Sequence, residues 1–403
     1  MKTKQSILFA LVSLFLLACN TDKNKLTVVA PSGIAGERVV EISDPGNNEM
    51  LLSALSEPFI IRQNGKEIQT QIYNDPVSGQ TKLLIYPKIE EKVQLEFVAG
   101  EEGKQTFAPL AHAELWHKTG GSFVDEVYTG GGDFVEVSSL RVPDECTDHS
   151  LYIKYEGPGW ESNLVGYRFY LDWRNAVDVY GKITDDMILD GVGQDGYESY
   201  HHMQDWGMDV LKVGPSLGVG SIGYWNGEAA ERVAETDSVY CEIISPEGLR
   251  AAIQTNYYGW TTQDFKTNVK SFITIDANSR MSKETLVFDQ APGNVCTGIH
   301  IDKNAEKIEL EKGNWVCLAT WGKQSLNDDQ LGLFVLVEKA TLLSKETDKN
   351  NHVLVLQPKN NQAEWYFGAA WELEPNGITS IEAFKAYLEQ QLELLNSPDE
   401  VLL

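Results

Sequence analysis

Residues 165–172 read Val-Gly-Tyr-Arg-Phe-Tyr-Leu-Asp, and the alternation of their side chains decides the fold class. In an extended strand, successive side chains point to opposite faces of the sheet. One face then carries the polar and aromatic side chains, which are Arg168, Tyr170 and Asp172. The other face carries Val165, Tyr167, Phe169 and Leu171. A strand with one apolar face and one polar face is typical of an antiparallel sheet that packs on a core.

Similar short runs recur along the chain between Gly, Asn and Asp residues. The clearest are Leu26–Val29, Leu83–Tyr86, Leu151–Tyr155, Val165–Leu171, Val239–Ile244, Ser271–Ile275, Thr285–Phe288, Leu333–Val337, Val353–Leu356 and Trp365–Ala370. No Rossmann or P-loop fingerprint is found among them. Near the end, Thr379 and Glu382 have the spacing of a capping box before an amphipathic helix. The sequence predicts an all-β protein with one C-terminal helix, in which a large antiparallel β-sandwich follows a small immunoglobulin-like β-domain.

The N-terminus has the form of a bacterial lipoprotein signal. Lys2 and Lys4 precede an apolar run, Ile7–Leu17, that is too short to span a bilayer. The run ends in Leu-Leu-Ala-Cys, a lipobox that predicts cleavage before Cys19 and lipidation of its thiol. The expected organisation is a signal peptide (1–18), a lipidated tether (19–25), the small β-domain (26–102) and the β-sandwich with the candidate site (103–403). The expected location is the cell envelope, lipid-anchored to the outer membrane in either leaflet.

The chain carries a formal net charge of −26. This charge argues against nucleic acid as a partner, because binding to phosphates needs a basic surface. An anionic sugar would need a local Arg or Lys pocket to overcome the same long-range field. The remaining cysteines, Cys146, Cys241, Cys296 and Cys317, are too widely spaced for a CxxC metal site. An oxidising compartment would permit one or two disulfides among them.

Charged and aromatic residues are dense between residues 160 and 214, which predicts a polar cleft rather than a plain core. Arg168 could clamp a carboxylate with two hydrogen bonds, or it could simply pair with an Asp on a solvated face. Arg174, Asn175 and Asp178 follow closely and could extend the cleft, although the Asn could equally be a turn residue. Lys212 lies at the end of the block.

Tyr200-His201-His202 is the best candidate for acid–base chemistry. Histidine exchanges protons near neutral pH, and Asp205 follows close by. If the segment is a strand, only one of the two histidines enters the cleft, and the alternative is a histidine pair in a surface loop. A histidine with Asp205 or Asp209 could hold a divalent cation, but no HxH or HExxH pattern supports a metal site. No cofactor is expected.

Several further residues are candidates for binding a sugar or completing the chemistry. Tryptophan rings stack on pyranose faces, and core packing is the alternative reading for each of them. The candidate binding residues outside the block's charged groups are Trp160, Tyr170, Trp206, Trp225, Tyr257 and Trp260. Glu284 and Glu372 are candidate partner carboxylates for a histidine base.

Three motifs of the chain resemble the signatures of the family catalogued as domain of unknown function 4861. They are residues 167–182 (YRFYLDWRNAVDVYGK), 200–214 (YHHMQDWGMDVLKVG) and 365–372 (WYFGAAWE). Trp173 departs from the family pattern, where a polar residue is expected. The resemblance implies a galactose-mutarotase-like supersandwich and a Bacteroidetes-type lipoprotein associated with the degradation of uronate-containing glycans. That superfamily includes epimerases, hydrolases and lyases, so the fold does not choose a reaction.

The leading hypothesis is an enzyme that acts on a uronate-containing oligosaccharide of the pectin or alginate type. In β-elimination, Arg168 or Arg174 would neutralise the carboxylate, His201 or His202 would be the base, and Tyr200 or Tyr170 would protonate the leaving group. Hydrolysis would instead use a pair among the carboxylates Asp172, Asp178, Asp205, Glu284 and Glu372. The alternatives are a glycan-binding lipoprotein without catalysis and a sugar mutarotase or epimerase.

Overall fold

The computed structural model describes residues 25–43 and 56–402. The predicted signal peptide, Cys19 and almost all of the tether lie outside these residues. Among the residues described, no helix is long and apolar enough to cross a membrane. Cys146, Cys241, Cys296 and Cys317 are free thiols.

The described chain consists mostly of strands, numbered in chain order. These are β1 Lys25–Val29, β2 Gly36–Glu37, β3 Val40–Ile42, β4 Phe59–Gln63, β5 Lys66–Ile68, β6 Thr70–Asn74, β7 Thr81–Ile85, β8 Lys88–Ile89, β9 Lys92–Ala99, β10 Ala111–Glu114, β11 Trp116–Lys118, β12 Gly121–Val124, β13 Val127–Gly130, β14 Phe134–Glu136, β15 Ser139–Arg141, β16 Gly159–Ser162, β17 Val165–Phe169, β18 Val177–Lys182, β19 Gly207–Asp209, β20 Gly223–Trp225, β21 Ala230–Arg232, β22 Ser238–Ser245, β23 Glu247–Gly248, β24 Arg250–Thr261, β25 Lys266–Asp276, β26 Met281–Phe288, β27 Val295–His300, β28 Ala305–Lys312, β29 Trp315–Gly322, β30 Leu331–Glu338, β31 Leu342–Thr347, β32 Asn351–Leu356, β33 Gln362–Trp371 and β34 Glu400–Leu402. Helix α1 spans Ile381–Asn396, and single 3-10 turns span Lys154–Glu156, Leu189–Gly191 and Ser199–His201.

A nine-stranded sheet, in the order β15-β22-β24-β25-β26-β33-β30-β29-β28, forms one layer of the large sandwich. A six-stranded sheet (β19-β18-β17-β16-β10-β23) and a five-stranded sheet (β21-β20-β27-β32-β31) supply strands to the opposite layer. The core between the layers is apolar and aromatic. Trp160 stacks on Tyr167 with ring centroids 5.5 Å apart, and the indole of Trp365 donates to Gly220 O at 2.7 Å. The predicted all-β supersandwich is therefore confirmed.

The small β-unit is itself a sandwich with its own core. A five-stranded sheet, β34-β1-β9-β4-β5, is accompanied by the three-stranded sheet β3-β7-β6. The β4–β5 hairpin turns through Asn64 and Gly65, both at positive φ, as the Asn-Gly pair predicts. Strand β34 pairs antiparallel with β1, so the last described residues complete the first sheet. The sequence did not reveal this closure, because β34 is only three residues long.

The C-terminal helix covers the outer face of the nine-stranded sheet. Phe384, Leu388 and Leu392 are fully buried against that sheet, and the ring of Phe384 lies 5.0 Å from that of Trp321. The helix is confirmed, but its predicted capping box is wrong by one residue. Ser380 is the N-cap, and its hydroxyl accepts from Ala383 N at 3.2 Å.

The outer face of the six-stranded sheet is covered by residues 183–206, called the covering segment below. Its buried residues Leu189, Val192 and Tyr200 pack with Tyr155 and Tyr180 in a separate cluster. The strand predicted at Leu151–Tyr155 is wrong. Leu151 and Tyr155 both have positive φ, and the chain there turns instead of extending. The sequence predicted that the polar face of this sheet is open, but the covering segment, which is mostly irregular, lies over it.

Candidate functional site

The outer face of the six-stranded sheet carries a row of buried charges. Strand alternation sends Val165, Tyr167 and Phe169 into the core and Arg168 to the outer face. The buried charged residues from the sheet are Glu114, Glu161, Arg168, Asp178, Lys182 and Asp209, each at most 1% exposed. Charges buried to this extent are stable only when they are paired and hydrogen-bonded. The charged side chains of this face therefore form a network of ion pairs and hydrogen bonds.

Arg168 is the centre of this network. Its Nη2 donates to Asp178 Oδ2 at 2.8 Å and to Asp209 Oδ2 at 2.7 Å, so the two carboxylates lie side by side. Its Nη1 donates to the hydroxyl of Tyr200 at 2.9 Å and to Tyr155 O at 3.2 Å. Its Nε also donates to Asp178 Oδ2 at 3.2 Å. Every nitrogen of the guanidinium therefore donates to a protein oxygen. The group below called the Arg168 centre consists of Arg168, Tyr170, Asp178, Tyr200 and Asp209.

Three acids of the Arg168 centre hold their protons more tightly than usual. Burial and the neighbouring Asp178 raise the pKa of Asp209 well above its ordinary value, although Arg168 opposes the shift. The hydroxyl of Tyr170 donates to Asp178 Oδ2 at 2.6 Å, and burial raises the pKa of Tyr170. Burial likewise raises the pKa of Tyr200. Burial thus disfavours the charged form of each of these three acids.

His201 lies at the solvent edge of the Arg168 centre. It ends a 3-10 turn rather than lying in a strand, and its Nε2 is 3.6 Å from Asp209 Oδ2. Its side chain is 40% exposed, whereas that of Asp209 is 2% exposed. Burial and the charge of Arg168 lower the pKa of His201, so the imidazole is neutral at pH 7. His201 can therefore accept a proton, whereas His202 is exposed beside it.

A strained turn borders the Arg168 centre. His149, Leu151, Tyr155 and Glu156 all have positive φ, at 59°, 58°, 36° and 69°. Non-glycine residues rarely adopt such angles, and they cluster at functional sites when the surrounding structure holds them. Glu156 Oε2 lies 3.8 Å from Arg168 Nη1, so the turn delivers a carboxylate to the rim of the centre.

Arg174 is held by three carboxylates. Its guanidinium lies 4.0 Å from the centroid of the Tyr170 ring and donates to Asp172, Glu156 and Asp148. The expected role of Arg168 or Arg174 in neutralising a substrate carboxylate is therefore not supported. All N–H groups of Arg168 already donate to protein oxygens. The same holds for the Nε and for both terminal nitrogens of Arg174. The surrounding carboxylates outnumber the two cations, which disfavours an anionic ligand.

A cavity of about 490 Å³ lies beside the covering segment. Its wall includes Tyr200, Gln204, Asp205 and Trp206. Trp206 is half-buried, and its ring lies 5.8 Å from that of Tyr180. Tyr200 faces the cavity and also bonds Arg168, so it connects the cavity to the Arg168 centre. Polar groups that converge on an aromatic wall are typical of a small-molecule site.

Two further buried ion pairs attach the covering segment to the sheet. Lys182 Nζ lies 2.6 Å from Glu161, whose other oxygen accepts from the backbone N–H groups of Ile188 and Leu189 at 2.8 and 2.9 Å. Lys154 Nζ lies 2.6 Å from Glu114 and donates to Leu189 O at 3.0 Å. The sheet thus positions the covering segment through charged hydrogen bonds as well as apolar contacts.

Several predicted binding residues are core residues. Trp160, Tyr257 and Trp260 are at most 2% exposed, so none can stack on a sugar in this conformation. Asn175 is buried and donates to the hydroxyl of Tyr257 at 3.0 Å. The three aromatic residues therefore pack in the core, and Asn175, at a φ of 39°, is the turn residue of the alternative interpretation. Lys212 is exposed, and Trp225 is half-buried with its backbone N–H on Asn294 at 3.0 Å.

The two late carboxylates do not belong to the Arg168 centre. Glu284 lies between the sheets, hydrogen-bonded to Ser271 at 2.8 Å beside a cavity of about 10 Å³. Burial raises its pKa to about 8. Glu372 accepts from Gln330 N at 2.8 Å and so holds a loop. Neither carboxylate is placed to pair with a histidine base.

Two groups of side chains within the described residues have ligand atoms close enough to hold a metal ion. They are Asp148, His149 and Glu156, and His112, Glu114 and Asp190. Arg174 already binds Asp148 and Glu156, and Lys154 already binds Glu114. A cation at either group would have to displace a side-chain cation. The donor sets therefore fit a divalent ion poorly.

Some residues of the network were not among the sequence candidates. They are Glu114, Lys154, Glu156, Glu161, Lys182 and, as a catalytic candidate, Asp209. Period-two alternation along β18 would have placed Asp178, Tyr180 and Lys182 on one face. Nothing in the local sequence indicates that Glu114 or Glu156 reaches the same face, because each comes from a distant segment.

Comparison with known proteins yields one family and several distant structures. The family model described as "Domain of unknown function (DUF4861)" matches residues 40–401. No curated protein matches the chain. A protein in glycosyl hydrolase family 38 from Enterococcus faecalis is similar over 94% of this chain and 47% of its own, with 7% identity and a TM-score of 0.43. An alpha-mannosidase from Enterococcus faecalis V583 is similar over 95% and 46%, with 8% identity and a TM-score of 0.39. The chain spans about half the length of either structure.

Proposed function

The chain belongs to the DUF4861 family, and from its Arg168 centre we propose that it is a carbohydrate-active enzyme of the mutarotase or epimerase type. The observation that carries the proposal is the double role of Tyr200. Its ring lines the cavity of about 490 Å³, and its hydroxyl accepts from Arg168 at 2.9 Å. A sugar in that cavity would lie against the ring of Tyr200, and the ring of the neighbouring His201 is 4.6 Å from the Tyr200 ring, outside the cavity wall.

The residues of the site would divide the proton transfers between them. His201 takes the proton of the anomeric hydroxyl, the ring C–O bond breaks as the carbonyl forms, and Tyr200 protonates the departing ring oxygen. Closure on the other face of the carbonyl reverses these steps and returns both protons. Asp209, 3.6 Å from His201, stabilises the imidazolium that forms transiently. Trp206 offers a ring for the apolar face of the sugar.

Other sugar reactions fit this geometry less well. β-Elimination on a uronate needs a free cation for the carboxylate, and the donors of Arg168 are all engaged by the protein. Hydrolysis needs two spaced, accessible carboxylates, and Asp178 and Asp209 are instead adjacent and buried. The centre therefore supports a neutral sugar better than the pectin- or alginate-type substrate that the sequence suggested.

The activity test uses single substitutions of the two proposed proton carriers. We expect His201→Ala and Tyr200→Phe each to lower the rate of anomer exchange by about 10²–10³-fold, because each removes a proton carrier. Polarimetry of freshly dissolved α-hexoses measures the rate. Activity should persist somewhat below pH 6.5, because the pKa of His201 lies below that ordinary value.

His202→Ala is the matched control, since His202 is the exposed neighbour of His201. Its rate should equal that of the wild type. Pectin- and alginate-derived oligosaccharides are assayed in parallel. Ultraviolet absorbance of an unsaturated uronate would identify a lyase, and products heavier by one water would identify a hydrolase; either would overturn the reaction class. Sugar binding without turnover would favour the glycan-binding lipoprotein.

We also propose that the enzyme lies in the cell envelope, anchored to the outer membrane through Cys19. The support is the lipobox of the sequence, which lies outside the described residues. We expect Cys19→Ser to move nearly all of the protein from the membrane fraction to the soluble fraction, because the thiol that takes the lipid is lost. Fractionation and intact mass measure the outcome. Ser13→Ala, within the same apolar run, is the control. An unchanged distribution of the Cys19 variant would exclude lipid anchoring at this residue.

A further inference from the structure

A second cavity, of about 280 Å³, lies where the small β-unit meets the outer face of the nine-stranded sheet. The small unit contributes Glu41, Tyr73 and Lys82 to its wall. The sheet contributes residues of β24, β25, β26 and β33. Ligand sites often form at such junctions, because two modules supply groups that neither could arrange alone. We call this cavity the junction groove.

The sheet wall of the junction groove is a regular array. Thr274 pairs with Lys283, and Lys283 pairs with Tyr366 across three neighbouring strands. One step along, Phe272, Thr285 and Glu364 form a parallel row. The residues between them in sequence, such as Ile273 and Trp365, point into the core. Aromatic and polar side chains are thus held at fixed spacing on one rigid face.

The charges that line the junction groove are paired with one another. Lys82 bridges Glu41 and Asp75 at 2.8 Å each. Arg250 binds Asp276 at 2.6 Å and Glu41 at 3.1 Å. Lys283 lies 2.9 Å from Glu364. The three cations and four carboxylates in the wall nearly cancel, although the whole chain carries −26. Such a wall offers hydrogen-bond donors beside acceptors, and its nearly balanced charge does not attract an ion of either sign strongly.

Aromatic rings lie among these ion pairs. Phe272 is 6% exposed and Tyr73 is 4% exposed, and Tyr366 is half-buried with the Lys283 ammonium 5.7 Å from its ring centroid. The geometry points to a second carbohydrate site, in which the junction groove binds a neutral hexose oligosaccharide. The hydroxyls would bond to the paired charges, and an apolar sugar face would lie against Tyr366.

This site is distinct from the proposed active centre. The Arg168 centre lies on the outer face of the six-stranded sheet, and the junction groove lies on the outer face of the nine-stranded sheet, with the core between them. Binding in the groove requires neither Tyr200 nor His201. The inference therefore survives or fails independently of the proposed reaction.

Calorimetric titration of the soluble chain with mannohexaose, cellohexaose and galacturonate hexamer tests the inference. We expect at least one neutral hexamer to bind, and Lys283→Ala and Tyr366→Ala each to weaken its Kd by about tenfold or more. Lys270→Ala is the matched control, because Lys270 is an exposed lysine on the neighbouring strand β25, on the same face of the sheet but outside the groove. It should leave Kd unchanged, as should His201→Ala.

Lys283→Ala keeps the result interpretable if Tyr366→Ala weakens the fold, since Tyr366 also packs against Trp315 at 5.6 Å whereas Lys283 is a partly exposed side chain. Thermal unfolding of each variant checks the fold. Failure of both neutral hexamers to bind, binding of the galacturonate hexamer alone, or binding that Lys283→Ala leaves intact would each overturn the inference. Loss of binding in His201→Ala would overturn it too, by placing the ligand at the Arg168 centre.

Discussion

Replacing Arg168 by Met is expected to lower the free energy of unfolding by about 3–5 kcal/mol at pH 8. The change leaves Asp178 and Asp209 buried without their shared cation, and the side chain of each is 2% exposed. Removing one partner of a buried ion pair costs far more than the pair itself contributes, because the remaining charge stays desolvated. Urea unfolding of both proteins measures the difference.

The pH dependence identifies the cause of this loss. Arg168 lowers the pKa of Asp209, so without it the folded-state pKa of Asp209 rises further, and the folded variant binds a proton that the unfolded chain releases. The free energy of unfolding that Arg168→Met loses, relative to the wild type, should therefore be smallest near pH 4 and grow as the pH rises. Arg168→Met combined with Asp178→Asn and Asp209→Asn should recover much of the stability.

Arg62→Met is the matched control for Arg168→Met. Arg62 pairs with Glu101 at 2.8 Å, but the side chains are 29% and 37% exposed. Exposed pairs contribute about 0–1 kcal/mol. If Arg168→Met lowers the free energy of unfolding by no more than Arg62→Met does, the carboxylates of the Arg168 centre are not desolvated charges that depend on Arg168. If neither Arg168 variant folds, the single variants Asp178→Asn and Asp209→Asn provide the same comparison with the cation retained.

Replacing Glu284 by Gln is expected to remove a large part of the pH dependence of stability. Burial raises the pKa of Glu284 from its ordinary 4.5 to about 8. Between these values the folded protein holds a proton that the unfolded chain has released. The stability from this group is therefore complete below pH 4.5 and is lost as the pH rises to 8. The loss amounts to about 5 kcal/mol, at about 1.4 kcal/mol per pH unit.

The measurement is the free energy of unfolding at intervals from pH 5 to pH 9. Glu284→Gln keeps a neutral side chain of the same shape, so its curve should fall less steeply than that of the wild type. Glu374, whose pKa burial raises to about 7, remains in both proteins and contributes the same slope to each. Glu306→Gln, at a side chain 63% exposed, is the control and should follow the wild type. Parallel curves for Glu284→Gln and the wild type would refute a protonated Glu284.

Much of the architecture was predictable because strands show themselves by the alternation of apolar and polar side chains along a short stretch of sequence. The runs at Val239–Ile244, Ser271–Ile275 and Leu333–Val337 are strands, since each presents an apolar side to the core. The run at Leu151–Tyr155 has a similar composition but turns, because its residues adopt positive φ beside Glu156. Local composition does not report that kind of strain, which only the surrounding structure can hold.

The candidate site was predictable only in part. The motif at 167–182 contains Arg168, Tyr170 and Asp178, and the motif at 200–214 contains Tyr200, His201 and Asp209. Whether a polar face is open or roofed depends on a remote segment, and here residues 183–206 cover it. The sequence could not show, for this reason, that the donors of the expected carboxylate clamp are engaged by the protein itself. Arg168 pairs with Asp178 and Asp209, and the covering segment buries all three side chains.

The sequence by itself determined the all-β class, the C-terminal helix and the two polar motifs, because side-chain periodicity and composition are local properties of the chain. Only the tertiary structure decided which side chains meet: Arg168 with Asp209, Glu161 with Lys182, and strand β34 with β1. It also decided which aromatic residues are core and which line a cavity. These choices depend on contacts between segments far apart in sequence, and the free energy of desolvating a charge is set by the complete set of neighbours around it.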